Sequence, residues 1–187
     1  VIVIASLIGV NSSLTSLDLM VHGDVGPVCG RAIGDALRAN SSLTTFILKS
    51  SGINLEGGVA IAEGLKVNGS LSKLNLSVDM CAEVCVALAE ALKVNSSLAS
   101  LILLNNKVGK TFSEVYVIHE SDDDSDGDGD YCQRFVVDSS GVCALVEALK
   151  VNGSLTSLDL KHNGLDEDSR SKLRGAVQGR SGFTMVL

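Results

Sequence analysis

The residues best suited to chemistry in this chain lie in one acidic stretch, SDDDSDGDGD, at positions 121–130. Six of its ten residues are Asp, and the order D-x-D-x-D-G is that of the first half of a calcium-binding loop. Carboxylates at alternate positions of such a loop can bind one Ca²⁺ ion together. The candidate metal ligands are Asp122, Asp124, Asp126, Asp128 and Asp130.

The closing half of that loop lacks its usual residues. Position 12 is Gln133, where a bidentate Glu normally completes the site, and the following RFVVDSSG has no helical pattern. We therefore expect a solvated acidic loop and no metal site. Weak calcium binding and docking of a basic partner are the alternatives.

Elsewhere the sequence has no arrangement typical of an enzyme. His22, His119 and His162 are far apart, and phosphate-loop, dinucleotide-binding, serine-hydrolase and H-E-x-x-H motifs are absent. The five cysteines lack zinc-ribbon spacing, which favours reduced thiols in the cytoplasm or another reducing compartment. We predict that the chain is not an enzyme, has no catalytic residue and binds no cofactor.

The net charge of −7 comes entirely from the acidic stretch and its neighbour Glu120. Residues 120–130 hold seven acids, and the remainder of the chain has fifteen acids and fifteen bases. A neutral body does not favour nucleic acid or an anionic membrane surface. The apolar N-terminus VIVIASLIGV has ten residues, which is too few for a membrane span. We expect a protein partner.

The architecture that positions these side chains is set by an internal sequence repeat. The phrase N-S/G-S-L occurs five times, and its Asn residues step by 29, 28, 27 and then 57 positions. They are Asn11, Asn40, Asn68, Asn95 and Asn152. Each begins an N-x-S sequon, which we interpret as a structural turn and not as a glycan site.

Each phrase continues into L-x-x-L-x-L, whose alternation is typical of a strand. Each later phrase follows an amphipathic segment such as ALAEALKVN, which is typical of a helix. One strand and one helix cannot bury their apolar faces alone, so the units must stack with their strands in one parallel sheet. The predicted fold class is α/β.

The sequence of these repeat units resembles that of a known family. ALAEALKVN at 87–95, SSLTSLDL at 12–19 and the period near 28 resemble leucine-rich repeats of the ribonuclease-inhibitor-like class, especially those of NOD-like receptor proteins. The resemblance implies one solenoid domain over 1–187, a horseshoe arc with a parallel sheet on its concave face and helices on its convex face. The Asn that closes the family's L-x-x-L-x-L-x-x-N is present as Asn106 and Asn163 but is replaced by His22, Ser51 and Asp79.

The two ends of the chain differ in this pattern. Residues 4–11 align with 88–95, so we expect the chain to open inside a helix of an earlier repeat. At the other end, 166–177 predict a charged helix and 183–187 a short last strand. An uncovered first unit would expose apolar side chains and a strand edge, so we expect a partner, or more of the protein, to cover this N-terminal edge.

One interruption breaks the period. The interval from Leu103 to Asn152 is about thirty residues longer than its counterpart in the preceding unit. One interpretation is an acidic insertion over 107–136. The other is a degenerate repeat with a helix at 111–120 and a strand motif at 132–137. The insertion is favoured because 137–152 leave little room for a full loop and helix.

Partner binding in this architecture is expected on the concave face, where the side chains between the core leucines point. The candidate residues are Asp18, Met20, Ile47, Lys49, Lys73, Asn75, Ile102, Leu104, Asp159 and Lys161. Four of them, Met20, Ile47, Ile102 and Leu104, could form an apolar patch with a polar surround, which suits a protein partner.

The sequence thus predicts a non-catalytic protein–protein interaction scaffold that is a subunit or fragment of a larger assembly. One alternative is a GTPase-activating protein of the Ran-activator type, because that family resembles this chain in repeat class and in having an acidic segment. The other is a calcium-modulated binding module that uses the acidic stretch.

Overall fold

The structure, a computed structural model, describes residues 1–21, 26–50, 53–78, 80–117 and 131–187. Two of these segments are described by their backbone, 110–117 and 131–137. The helices are α1 (Ile2–Val10), α2 (Gly26–Ala39), α3 (Leu55–Val67), α4 (Ala82–Val94), α5 (Ser140–Val151) and α6 (Glu167–Ala176). The strands are β1 (Ser16–Val21), β2 (Thr45–Ser50), β3 (Lys73–Ser77), β4 (Ser100–Ile102), β5 (Lys110–Val117), β6 (Tyr131–Val137), β7 (Ser157–Asp159) and β8 (Thr184–Val186).

Six strands form one sheet in the order β1-β2-β3-β4-β7-β8, and each neighbouring pair is parallel. The register places equivalent repeat positions side by side, in the series Leu17, Phe46, Leu74, Leu101 and Leu158. The α/β class and the parallel sheet predicted from the repeat are therefore confirmed.

The core lies between the sheet and the helices. Alternate strand residues are buried, as in the pattern of β2, where Phe46 and Leu48 are fully buried and the residues between them are not. The apolar faces of α3 and α4 supply Leu65 and Leu92 to the same core cluster. Because the strand period is two, the sheet face opposite the helices must display the other half of each strand.

Helices α2 and α3 approach each other closely enough to require glycine. A Cβ atom added at Gly34 would lie 2.3 Å from the Ala60 carbonyl oxygen. Gly64 is equally tight, because its added Cβ would lie 2.3 Å from the Gly34 carbonyl oxygen. The missing side chains let the two backbones touch, which holds the first units of the array in one fixed stacking.

The repeated Asn of the N-S/G-S-L phrase ties each unit to the one before it. The Asn68 Nδ2 donates to the carbonyl oxygens of Leu37 (2.6 Å) and Asn40 (3.0 Å) in the preceding unit. Its Oδ1 accepts from the backbone nitrogens of Ser70 (3.1 Å) and Leu71 (2.8 Å) in its own turn. Equivalent pairs of donations to the preceding unit are made by Asn40, Asn95 and Asn152.

We call these four residues, Asn40, Asn68, Asn95 and Asn152, the asparagine ladder. Each is between 4% and 6% exposed. A buried primary amide with all of its hydrogen-bonding capacity used resists replacement, because any other residue would leave backbone groups without partners. This explains why the phrase recurs, and it agrees with a structural role for these sequons.

A second asparagine acts after the strands. The Asn106 Nδ2 donates to the Leu76 carbonyl (2.7 Å), while its Oδ1 accepts from the backbone nitrogens of Val78 (3.2 Å) and Met80 (2.9 Å). Asn163 donates in the same way to Leu103 (2.7 Å). The three positions where the family's Asn is replaced, His22, Ser51 and Asp79, lie outside the described residues.

The interruption contains a β-hairpin. Strands β5 and β6 pair antiparallel with each other, while β4 pairs directly with β7, so the hairpin is not part of the six-stranded sheet. The helix that the degenerate-repeat interpretation required at 111–120 is wrong, because β5 occupies Lys110–Val117. Its β-branched and aromatic residues favour a strand. The five calcium candidates lie outside the described residues.

Candidate protein-binding surface

Eight of the ten predicted partner-binding residues lie on one face of the six-stranded sheet, at strand positions that alternate with the residues facing the helices. We call this surface the open sheet face and include with it Leu104 and Lys161, which lie in the turns after β4 and β7. Four of its residues are exposed: Asp18, Met20, Lys73 and Lys161. The other six are half-buried: Ile47, Lys49, Asn75, Ile102, Leu104 and Asp159.

Half of the predicted residues form a continuous row across the sheet. Its members are direct neighbours on adjacent strands in the order Asp18, Ile47, Asn75, Ile102 and Asp159. Strand β8 extends the row with Val186, which pairs with Asp159 and was missed by the sequence reasoning. The alternation of Phe183, Met185 and Leu187 with smaller residues was the signal that could have found it.

The predicted apolar patch is not continuous. Ile47 and Ile102 are separated by Asn75 in the middle row, a gap of about 10 Å at the usual strand spacing. Met20 lies at the β1 edge and has Lys49 as its neighbour on β2. The open sheet face therefore combines single apolar side chains with an amide and charges, a mixture that resembles non-obligate protein interfaces.

Several polar groups on this face have capacity left for a partner. The Asn75 Oδ1 accepts from the Ser77 hydroxyl at 3.3 Å, and its amide nitrogen makes no bond within the described residues. Asp159 accepts from the backbone nitrogen of Lys161 at 3.0 Å. Asp18 and Lys49 form no ion pair in the part of the chain that the structure describes.

The helix face of the same units is different, because its charges already pair with each other. Ion pairs recur at equivalent positions: Glu63–Lys66 (2.5 Å), Glu90–Lys93 (2.6 Å) and Glu147–Lys150 (2.7 Å). Such exposed pairs contribute little stability. The charges at these three positions of the helix face are therefore paired with each other, whereas Asp18 and Lys49 on the open sheet face are not paired within the described residues.

The cysteine and histidine side chains that could act as nucleophiles or metal ligands are not placed for either role. Burial raises the pKa of the Cys85 thiol, and burial followed by the hydrogen bond with Glu83 raises the pKa of Cys81. Both shifts oppose the thiolate form that nucleophilic or metal-binding cysteines need. His162 lies in the turn after β7 with a left-handed φ of 58°. Within the described ranges, no cluster of three His, Cys, Asp or Glu could hold a metal ion.

No helix among the described residues is long and apolar enough to cross a bilayer.

Comparisons with known proteins identify relatives by fold and not by sequence. No family model matches the chain, and no curated protein matches it. The C-terminal domain of Caenorhabditis elegans tropomodulin is similar in structure, with a TM-score of 0.63 at 14% identity, over 93% of this chain and 89% of that one. The leiomodin-1 actin-binding site 2 has a TM-score of 0.62 at 16% identity, over 93% and 85% of the two chains.

At these identities the likeness concerns the fold alone. The chain shares with both domains an arrangement of leucine-rich-repeat type, with a parallel sheet on one side and helices on the other.

Proposed function

We propose that this chain is a non-catalytic protein-binding module, and that the open sheet face takes its partner. The observation that carries the proposal is the row from Asp18 to Asp159, which brings side chains from five repeats into one continuous line. A partner lying along that row would contact an apolar or amide centre between two carboxylates. Contacts of this kind provide both desolvation and orientation.

The proposal extends to the architecture that supports the row. The chain is a single repeat domain over 1–187, curved into an arc with the open sheet face on its concave side and interrupted by an acidic insertion at 107–136. Direct pairing of β4 with β7 supports the insertion. The sequence of the repeats supports a relationship to the repeats of NOD-like receptor proteins.

Actin is the first partner to test, because one structurally similar domain is described as an actin-binding site of leiomodin-1. The experiment is co-sedimentation of the chain with actin filaments, followed by affinity purification from the native source to identify other partners. Binding of a defined protein with reproducible stoichiometry would support the module.

Two matched variants locate the binding surface. Asn75→Arg with Ile102→Arg places two bulky charges on half-buried positions of the open sheet face. Val94→Arg with Val151→Arg places the same two charges on α4 and α5, where the side chains are 66% and 67% exposed. We expect the first variant to weaken partner binding by more than about tenfold, which is about 1.4 kcal/mol. Equal binding by both variants would exclude the open sheet face.

The N-terminal edge is the second partner surface that we propose. Helix α1 has no charged residue and exposes Val3 (72%), Leu7 (61%) and Val10 (82%), and β1 is the first strand of the sheet. An apolar helix beside a free strand edge favours association. Replacing Val3 and Leu7 with Lys should abolish self-association or partner capture at this edge, as measured by sedimentation velocity.

The two rival functions have direct tests. A Ran-type GTPase should hydrolyse GTP at its intrinsic rate in the presence of the chain, because no residue brought together on the open sheet face resembles a catalytic set. Titration with calcium in a calorimeter should give no heat at millimolar metal. A positive result in either assay would replace the proposal with that rival.

We also propose a cytoplasmic or similarly reducing location. The described cysteines include Cys85, which is fully buried as a free thiol. The four ladder sequons support the same location, because their Nδ2 atoms are bonded inside the fold and could not carry glycans there. Reduced protein with unmodified sequons from the native source would agree with this proposal.

A further inference from the structure

Two members of the asparagine ladder are followed by glycine, as Asn68-Gly69 and Asn152-Gly153, whereas the other two are followed by serine. Asn-Gly is chemically the least durable of these pairs, because glycine has no side chain to hinder the approach of its own backbone nitrogen to the preceding side chain. That nitrogen attacks Asn Cγ and forms a ring C–N bond, the Cγ–Nδ2 bond breaks, and ammonia leaves. Water then opens the succinimide ring to Asp or isoaspartate.

The folded backbone prevents the first step of this reaction. Ring closure requires the next backbone nitrogen to eclipse Cβ. Asn68 has φ −73° and ψ 122°, and Asn152 has φ −75° and ψ 121°. With this ψ the glycine nitrogen lies on the far side of the Cα–C bond from the side-chain amide. Both residues end a helix in this conformation, so the fold itself imposes it.

The ladder hydrogen bonds form a second barrier. At Asn152, Nδ2 donates to the carbonyls of Leu92 (2.7 Å) and Asn95 (3.0 Å), as Asn68 does one repeat earlier in the array. Both hydrogens of the leaving group are therefore held inside the protein. The two residues are 6% and 4% exposed, which limits access of the water that completes the reaction.

We propose that Asn68 and Asn152 are latent deamidation sites, closed while the chain is folded and opened by unfolding. Deamidation of either asparagine also prevents the chain from refolding. An aspartate at position 68 would direct a carboxylate at the Leu37 and Asn40 carbonyl oxygens, where an amide now donates two hydrogen bonds. An isoaspartate would in addition lengthen the backbone of the turn. A chain that stays unfolded long enough to deamidate therefore loses the ability to rebuild the ladder.

The test compares three samples at the same pH and temperature. They are the folded chain, the chain unfolded in urea, and a synthetic peptide VNGSLSK corresponding to 67–73 in urea-free buffer. Tryptic peptides are followed by mass spectrometry for the gain of one mass unit at Asn68 and Asn152. We expect conversion in the peptide and the unfolded chain, and conversion slower by more than about tenfold in the folded chain, since it must wait for opening.

The chain offers its own control, because serine occupies the equivalent position in two sister units. In the double variant Gly69→Ser, Gly153→Ser, an added Cβ meets nothing within 4 Å at either site. A third Asn-Gly pair, Asn163-Gly164, remains in both the wild type and the variant. After ageing in urea, wild type should therefore refold in lower yield than the variant at every time point. Equal rates in the folded chain and the peptide would overturn the proposal, and so would full refolding of deamidated wild type. The comparison of deamidation rates needs only the wild type. It therefore tests the proposal even if the variant does not fold.

Discussion

The two ends of the repeat array differ in whether the hydrogen-bonding groups of the repeat phrase have partners. At the N-terminal end, Asn11 is exposed and its Oδ1 accepts from the backbone nitrogens of Ser13 and Leu14. Its Nδ2 has no acceptor among the described residues, whereas the next Asn in the array donates to Ile8 and Asn11. The same phrase therefore makes a complete set of bonds only when a preceding unit supplies two carbonyls.

At the C-terminal end, Arg180 binds two carbonyls of the kind that a following repeat phrase binds elsewhere in the array. The Arg180 guanidinium donates to the carbonyls of Leu149 (3.1 Å) and Leu155 (2.5 Å). Leu149 is the repeat equivalent of Leu92, whose carbonyl accepts from a ladder asparagine. Leu155 is the equivalent of Leu43, whose carbonyl accepts from the Ser70 hydroxyl. Arg180 thus supplies donors to these two carbonyls, and its guanidinium lies 4.6 Å from the centre of the Phe183 ring.

The difference shows that a residue's contribution depends on its place in the array more than on its type. Helix α6 also suits an outer position, with Asp166 capping its start and the Lys172–Asp168 ion pair (2.6 Å) on its surface. Helix α1 has apolar side chains at the corresponding outer surface. Changing one side chain at a time, inside the array and at its two ends, tests this dependence on position.

The largest effect is expected inside the array. Asn68→Ala removes two donors and one acceptor, so three buried backbone groups and one half-buried group lose a partner. At about 1 kcal/mol or more for each such group, we expect the free energy of unfolding to fall by about 4 kcal/mol. Urea denaturation followed by circular dichroism measures it. A loss below about 1 kcal/mol would mean that the ladder is not a main support of the array.

The second-largest loss in the free energy of unfolding is expected from a change at the C-terminal end. Arg180→Ala leaves the Leu149 and Leu155 carbonyls without their charged donor, and we expect a loss of about 2 kcal/mol. Arg180→Lys is the matched control, since it keeps the charge and loses the fork that reaches both oxygens. The same denaturation assay should place Lys between Arg and Ala. If Ala equals wild type, the two arginine bonds do not stabilise the C-terminal end.

The N-terminal Asn should matter least of the three. Asn11→Ala removes three hydrogen bonds that are exposed to water, so we expect a loss of about 0.5 kcal/mol in the same assay. The comparison with Asn68→Ala is the informative quantity, because both changes remove an Asn from the same phrase. Equal losses would contradict the dependence on position.

The smallest effect concerns the pH dependence of the C-terminal end. Hydrogen bonds from Ser169 lower the pKa of Asp166 from its ordinary value of 3.8. A lowered folded-state pKa means that the contribution is present above pH 3.8 and is lost as the pH falls through the folded value. Asp166→Asn keeps a capping side chain without a titrating group. Wild type should lose more stability than this variant between pH 5 and pH 2, as followed by thermal melts.

Much of the fold could be predicted because its information is local. The alternation around Leu74 and Leu76 predicts a strand within six residues, and the 3–4 spacing in ALAEALKVN predicts a helix within nine. The open sheet face follows from the same alternation, which is why eight of its ten predicted residues lie on strands at positions facing away from the helices. Val186 was missed because the last strand departs from the Leu pattern.

Features that depend on distant partners could not be predicted. The role of Arg180 rests on two carbonyls 31 and 25 residues away, and nothing in RSGF indicates them. The close contact at Gly34 depends on the crossing of two helices. In the interruption, T-x-x-E at 111–114 is a pattern typical of a helix start. The structure has a strand there, because residues 115–117 favour a strand and 131–137 supply its pairing partner.

The most direct test is the exchange of asparagine side-chain amide hydrogens with solvent, measured by nuclear magnetic resonance. The ladder predicts slow exchange, near the rate of global opening, for the Nδ2 hydrogens of Asn40, Asn68, Asn95 and Asn152. Asn11 should exchange rapidly in the same spectrum. Exchange at Asn68 as fast as at Asn11 would contradict the claim that buried asparagines tie the units into one array.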